Sequence, residues 1–247
     1  MRLESAFVSH SSYMDRLAGG GGIVEEWLDG HEVASPSAQL RISPLGEVLL
    51  DATHDQILGG PGGQSYLGAS FPASPAYAPL VAREATRIGE VLAGMGVAGR
   101  FAVDFVVVRP RGGQVRAWAI EINLRKGGTT HPLLTLQFLT GGKYDPDAGA
   151  FNTLRGGRRC YVATDHLESP AYRAFTPEDL FDIVSEHGVH FDHAAQTGVV
   201  LHFLGGVGEL GRLGLTAIAD TPAAARALYD RTVRVIDSEA AGLSAQR

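Results

Sequence analysis

Two runs of β-branched and aromatic residues, FAVDFVVV at 101–108 and AWAIEIN at 117–123, flank a Gly-Gly pair at 112 and 113. Short alternating runs on either side of such a pair predict an antiparallel hairpin closed by a two-residue primed turn. With Gly112 and Gly113 as the turn, Arg111 pairs with Gln114, and the register carried inward sets Asp104 across from Glu121. Side chains alternate faces along a strand, so one face gathers Ala102, Asp104, Val106 and Val108 with Ala117, Ala119, Glu121 and Asn123. Phe101, Val103, Phe105 and Val107 with Trp118, Ile120 and Ile122 form the opposite, bulky face.

Other segments give weaker patterns. Residues 1–22 read as a short amphipathic piece and a four-glycine connector, and no Lys-Ser/Thr pair follows the glycines to make a phosphate loop. IVEEWLDGHE, 23–32, starts as a strand and breaks at the turn dipeptide Asp29-Gly30. Residues 38–42 and 47–51 predict a second hairpin around 43–46, with Arg41 either solvated or facing a ligand. Ser35 and Ser37 read as loop polar groups. The glycine-rich stretch 53–68 reads as a long substrate-side or lid loop, with His54, Asp55 and Gln56 as contacts.

Either Ser74-Pro75 or Pro79 starts a helix in which Val81, Ala85, Ile88, Leu92 and Met95 recur as core positions, ended by Gly94 and Gly96. A short helix at 132–139, a strand at 159–164 and a helix capped by Thr176-Pro177 with Asp179 follow. Strands at 198–203 and 214–218 and a helix begun by Thr221-Pro222 complete the chain.

Composition narrows the classes. With 247 residues, 45% of them hydrophobic, the chain buries a core in one large domain or two small ones. A net charge of −6 with only Lys126 and Lys143 as lysines argues against a nucleic-acid surface. No apolar run approaches the roughly 18 residues of a membrane span, and the first residues lack the apolar core of a signal peptide. No membrane partner and a cytoplasmic location are therefore expected. The lone Cys160 excludes an internal disulfide and a Cys-based zinc site. His187, His190 and His193 recur every three residues, but Gly188 breaks the helix between them and nothing completes a zinc set.

The chemistry lies at the first hairpin. Two carboxylates about 5 Å apart across a sheet repel by roughly 3 kcal/mol at an effective dielectric near 20. A cation between them relieves this; so would a shifted register, a shared proton or an ion pair with Arg100 or Arg125. Asn123 adds a neutral oxygen, and Asp, Glu and Asn make a hard-oxygen set suited to Mg²⁺ against phosphates. Beyond it, Gly127 and Gly128 allow close backbone approach to a ligand, and Lys126, Thr129 and Thr130 add donors for an anionic group. His131 either closes the loop before Pro132 or serves as a general base.

An acid on one strand, then E-I-N-x-R from Glu121 to Arg125 and a Gly/Thr loop, resembles the metal-binding end of the ATP-grasp ligases. The loop INLRKGGTTHP resembles the pheganomycin-type peptide ligases of that superfamily. This resemblance implies an α+β fold, an antiparallel sheet with flanking helices and a small C-terminal β/α module. It implies ATP and Mg²⁺ as cofactors, with Asp104, Glu121 and Asn123 holding the ion and Arg125 steadying an acyl-phosphate. IVEEWLDGHE resembles the family's adenine hinge, matched at Glu25, Glu26, Trp27, Leu28 and Glu32, so the backbone near Trp27 and Leu28 would meet the adenine edge and Glu32 the ribose, with Arg41 toward the phosphates. Gly127, Gly128 and Thr129 are analogues of acyl-acceptor residues in D-alanine ligases.

The implied division is a connector or lobe remnant at 1–22, an ATP-grasp C-terminal subdomain at 23–145 and a module completing and flanking the core at 146–247. The implied reaction joins a small-molecule or peptide carboxylate to an amine at the expense of ATP. In the family a further N-terminal lobe brings a phosphate-binding lysine, whereas no lysine precedes Lys126 here. The chain is thus expected to be incomplete, binding nucleotide weakly and not ligating alone, with a separate N-terminal lobe as partner; a homodimer is compatible with the sequence. The rivals are a non-catalytic nucleotide- or cation-binding module and a carboxylase acting on bicarbonate, though nothing resembles a biotin acceptor.

Overall fold

The computed structural model describes residues 3, 4 and 8–245; residues 1, 2 and 5–7 of the expected connector lie outside the described set. The amphipathic piece forms helix α1, His10–Gly20, capped by the Ser9 side chain and with no buried residue. It continues into the first two glycines, which sequence reading gave to the connector. Residues 21–31 carry no strand, contrary to expectation; regular pairing begins only at β1, Glu32–Ala34.

The second hairpin forms as expected but is longer, with β2 at Pro36–Ile42 and β3 at Val48–Gly59. β3 pairs in turn with β4, Ser65–Phe71, so most of the expected glycine-rich loop is a hairpin and only residues 60–64 are loop. Thr53, His54 and Ala52 are buried along it, and that burial is what turns a polar-looking stretch into a strand.

Helix α2, Ala78–Gly94, starts after Tyr77, next to the later of the two expected starts, with Pro79 in its first turn where no amide donor is needed. Its Val81, Ala85 and Leu92 pack on Leu40, Ile42, Phe101 and Phe105. Met95, expected in the core, is 73% exposed. The next hairpin is β5, Gly99–Arg109, with β6, Arg116–Asn123. Then come α3, Thr130–Thr140, a small β7–β8 ribbon at Lys143–Asp145 and Ala150–Asn152, and β9, Cys160–Glu168. Helix α4, Pro177–Glu186, strand β10, Gly198–His202, the one-turn α5, Val207–Leu210, strand β11, Arg212–Ala219, and helix α6, Pro222–Ala245, finish the chain.

Apart from β7–β8, the strands form a single antiparallel sheet of nine. β5 is flanked by β1 and β2 on one edge and by β6 on the other; beyond β2 the order runs β3-β4-β9-β11-β10. The C-terminal strands thus extend the same sheet. α2 covers one face over β2 and β5, and α6 covers that face farther along, where Ala225 meets Cys160 and Val162. α3 covers the other face: Leu133 and Leu136 pack on Ala52, Phe71, Tyr161 and Ala163. The polar positions of β2, Ser37 and Gln39, lie on that second face, opposite Ala38, Leu40 and Ile42.

The capping box at α4 forms as read: Thr176 Oγ1 accepts from the Asp179 amide at 3.2 Å, and Asp179 accepts from the Thr176 amide at 2.7 Å. Replacing Thr176 with Ala removes one of these bonds and should lower stability by about 1 kcal/mol, measured by urea unfolding. Among the described residues no helix is long and apolar enough to cross a membrane.

Candidate active site

Asp104 and Glu121 face each other across β5 and β6, as the sequence indicated, but the turn that was to place them there is different. The strands are joined by residues 110–115, in which the Gly113 amide bonds Pro110 O at 3.2 Å and Gly112 takes a φ of +67°. Gly112 and Gly113 therefore occupy the last two positions of a four-residue turn instead of its centre. The pairing that follows is Val108 with Arg116, Val106 with Trp118 and Phe105 with Ala119, one residue off the expected register. A β-bulge between Ala119 and Glu121 then restores it, so Asp104 meets Glu121 and Ala102 meets Asn123. Two offsets cancel. Near the turn the expected faces are wrong: Trp118 shares the acids' face, with Arg116 stacked 4.9 Å over its ring, while Ala117 packs on the core.

Asn123 donates its amide to Asp104 Oδ2 at 3.1 Å. Burial pushes the Asp104 carboxyl above the usual carboxylate range; hydrogen bonds from Ser37 and Gln56 hold it down, and the charge of Glu121 lifts it again. Ser37 is a buried member of β2 paired with Asp104, a correction to its reading as a loop group. Among the described residues no ion pair reaches either acid: Arg100 turns to Asp51, which Arg41 also contacts at 3.1 Å. The groups in contact with Asp104, apart from Glu121, are neutral. The result is an oxygen-rich pair whose repulsion has no internal counter-charge, and that donor set fits a divalent cation.

The loop after Asn123 is held from within. Gln39 donates to Thr129 Oγ1, and Gly127 N donates to Thr130 Oγ1 at 3.1 Å. Both threonines are buried, so their hydroxyls fix the loop rather than stand open to a ligand. Arg125 and Lys126 are exposed, with Arg125 bonded to Lys126 O at 3.2 Å. Gly128 lies against Tyr66, where a Cβ would come within 2.7 Å of the ring; glycine is needed there for the fit.

Beside this loop opens a cleft of about 350 Å³, lined by Gly127, Gly128, His131, Tyr66, Asp165 and His202. Tyr66, whose hydroxyl burial pushes far up, feels the charges of both Asp165 and Asp104, which ties the cleft to the acid pair. The rings of His131 and His202 lie 4.7 Å apart. Burial first, and His131 second, push His202 down to about 4, leaving it a neutral base at physiological pH. Tyr66, Asp165 and His202 were not read from sequence, because nothing local marks them: they come from three strands brought together only by the sheet.

Two expected substrate contacts are structural. His54 is fully buried, bonded to the Tyr161 hydroxyl at 2.6 Å and pushed down to about 3 by desolvation. Asp55 accepts from Ser74 N at 2.9 Å and Tyr77 OH at 2.7 Å, tying β3 to the start of α2. Gln56 alone of the three reaches the acids. The hinge-like residues are open: Val24 is 99% and Trp27 72% exposed, Glu25 and Glu26 are exposed and Leu28 is half-buried. Glu32 pairs with Arg109 across β1 and β5 at 3.1 Å. The three histidines of the C-terminal part do not converge: His187 bonds Glu239 at 2.9 Å, His193 meets Phe191 edge-on, and no group of three metal-ligating residues exists among the described residues.

Comparison with known proteins agrees with this arrangement. A family described as IQCH-like, ATP-grasp matches residues 2–147, and one described as PGM1 C-terminal domain matches residues 179–232. The chain is 38% identical over 224 residues to the L-propargylglycine–L-glutamate ligase of Streptantibioticus cattleyicolor, covering 89% of this chain and 44% of the ligase. Among solved structures, the N5-carboxyaminoimidazole ribonucleotide synthetase of Thermus thermophilus superposes with a TM-score of 0.54 at 16% identity, over 92% of this chain and 57% of that one. The Staphylococcus aureus N5-carboxyaminoimidazole synthetase complexed with ADP gives 0.53 at 12% identity, over 85% and 50%. The chain thus spans less than half of the curated ligase and about half of the synthetases. On its sheet, its facing acids and the match over residues 2–147, the chain belongs to the IQCH-like ATP-grasp family.

Proposed function

We propose that this chain carries the metal- and phosphate-handling part of an ATP-dependent carboxylate–amine ligase. In that reaction a substrate carboxylate takes the γ-phosphoryl group and ADP leaves; an amine then attacks the acyl-phosphate carbonyl, giving an amide and inorganic phosphate. The observation that carries the reading is the uncompensated Asp104–Glu121 pair with Asn123 beside it. Asp104, Glu121 and Asn123 would hold Mg²⁺, which neutralises and aligns phosphate oxygens, the main requirement of phosphoryl transfer. Arg125 and Lys126, exposed at the end of β6, are free to approach the acyl-phosphate oxygens. The cleft takes the amine, and His131, with neutral His202 behind it, accepts the proton an ammonium must lose before it attacks. Gly127, Gly128, Thr129 and Thr130 shape the wall, and Gln56 orients Asp104.

On the nucleotide side, the reading gives Glu25, Glu26, Trp27 and Leu28 to adenine, Glu32 to ribose and Arg41 to the phosphates. It carries a cytoplasmic setting with it. The carboxylate of the relative's printed name, an amino acid joined to glutamate, supports amino acids or peptides as substrates.

A second reading, a binding module without turnover, is favoured by the bare hinge residues. We propose that the chain by itself binds nucleotide and does not ligate. Calorimetric titration of Mg·ATP should give saturable binding that disappears in EDTA, with no phosphate released when a carboxylate and an amine are added. Binding indifferent to Mg²⁺ would remove the first part; amide formation by the chain alone would remove the second.

A further inference from the structure

The loop between β3 and β4 does something the ligase reading leaves unused. Glu4, from the start of the chain, sets its carboxylate into that loop. Oε2 accepts from Gly62 N at 2.7 Å; Oε1 accepts from Gln64 N at 3.1 Å, Ser65 N at 3.0 Å and Ser65 Oγ at 2.8 Å. We propose that residues 60–65 form a carboxylate-binding site, filled here by Glu4, that takes the free carboxylate of an acidic amino-acid or peptide ligand.

The loop backbone makes the site. Gly60 and Gly63 take φ values of +84° and +72°, and the Gly63 amide closes on Gly60 O at 3.2 Å. Turning the chain so sharply aims successive N–H groups at one point, a concavity suited to an anion. The Ser65 hydroxyl first, and the three amides with it, hold the Glu4 carboxyl below its usual range. Charge-assisted bonds of this kind are about twice as strong as neutral ones.

Gly62 is the more telling glycine. Its φ is one any residue adopts, yet a Cβ there would fall 2.2 Å from Glu4 Oε2 and meet nothing else but the carboxylate carbon. At Gly60 a Cβ would lie 2.4 Å from Oε1. The space these side chains would fill is the seat of the two carboxylate oxygens, so the loop is shaped to a planar two-oxygen group. Ser65 is followed directly by Tyr66, a wall of the cleft. That the ligand is a substrate rests on the ligase reading; that the loop binds a carboxylate does not.

Glu4 is tethered, so it competes at the high effective concentration of an intramolecular group, and removing it should uncover the site. Amide resonances of the full chain labelled with ¹⁵N, titrated with glutarate in the absence of nucleotide, test this. In Glu4→Ala, Gly62, Gln64 and Ser65 should shift saturably; the unmodified chain should require at least about ten times more ligand. In Glu4→Ala/Gly62→Ala, whose backbone is unstrained, saturable binding should be lost. Glu4→Gln gives the same reading should the alanine variant lack a dispersed spectrum. No saturable shift in the opened variant, equal titration of both proteins, retained binding after Gly62→Ala, or tighter binding of inorganic phosphate than of glutarate would each overturn the assignment. Since no ATP is present, the carboxylate site and the Mg·ATP site fail or stand separately.

Discussion

Replacing Asp104 with Asn and Glu121 with Gln together should do two opposite things: lower affinity for Mg·ATP at least about 100-fold and raise the stability of the nucleotide-free chain. The loss follows from removing both charges that would hold the ion; hydrogen-bonded neutral oxygens at the same places bind a hard cation far more weakly. The gain follows from the same charges. With no cation between them they repel, and relief on the order of 1 kcal/mol should lift Tm by about 2–4 °C in a chain of this size.

The pH dependence carries a matching sign. Asp104 is raised in the folded state, so the fold binds more protons there than the unfolded chain does, and stability falls as pH rises through that range. Below the ordinary Asp range the penalty is absent; above the raised value it is complete. The double variant should flatten this slope, and Mg·ATP should reverse it. Thermal melts with and without Mg·ATP across pH 4 to 7 would show it. A double variant less stable than the parent would mean the acids are satisfied inside the fold and that no ion is needed.

Phe71→Ala should give the largest loss of stability, about 3–5 kcal/mol, by opening a cavity in the layer beneath α3. The ring is 1% exposed and contacts His54 at 4.9 Å, Tyr144 at 5.7 Å, Phe151 at 5.8 Å and Tyr161 at 4.9 Å. This cluster seats Leu133 and Leu136, and α3 carries His131 in its first turn. A denaturant midpoint shift should therefore come with weaker ligand binding in the cleft, while Thr176→Ala shifts the midpoint alone. A loss below about 1 kcal/mol would mean the layer closes over the gap.

What was legible in the sequence was what short-range pattern encodes. The capping box at Thr176 and the β5–β6 hairpin follow from turn and cap chemistry within a few residues. The hinge-like segment looked like a strand because Ile23 and Val24 are strand formers, yet among the described residues no strand pairs with it and both are exposed. His54 looked like a ligand contact because a polar residue among glycines suggests a loop. Its partner Tyr161 is 107 residues away, and only the sheet brings them together. Ser37 looked like a loop group for the same reason: its role depends on the pairing of β2 with β5, which no local signal announces.

The bulge at Ile120 separates the hairpin tip from its base. On the tip side the strands keep one register and on the base side another, the latter shared with β2 through Ser37 and Asp104. A change in the length of the 110–115 turn therefore has a place to dissipate before it reaches the acids. Homologues in which this tip has grown or shrunk can keep the same two carboxylates in opposition.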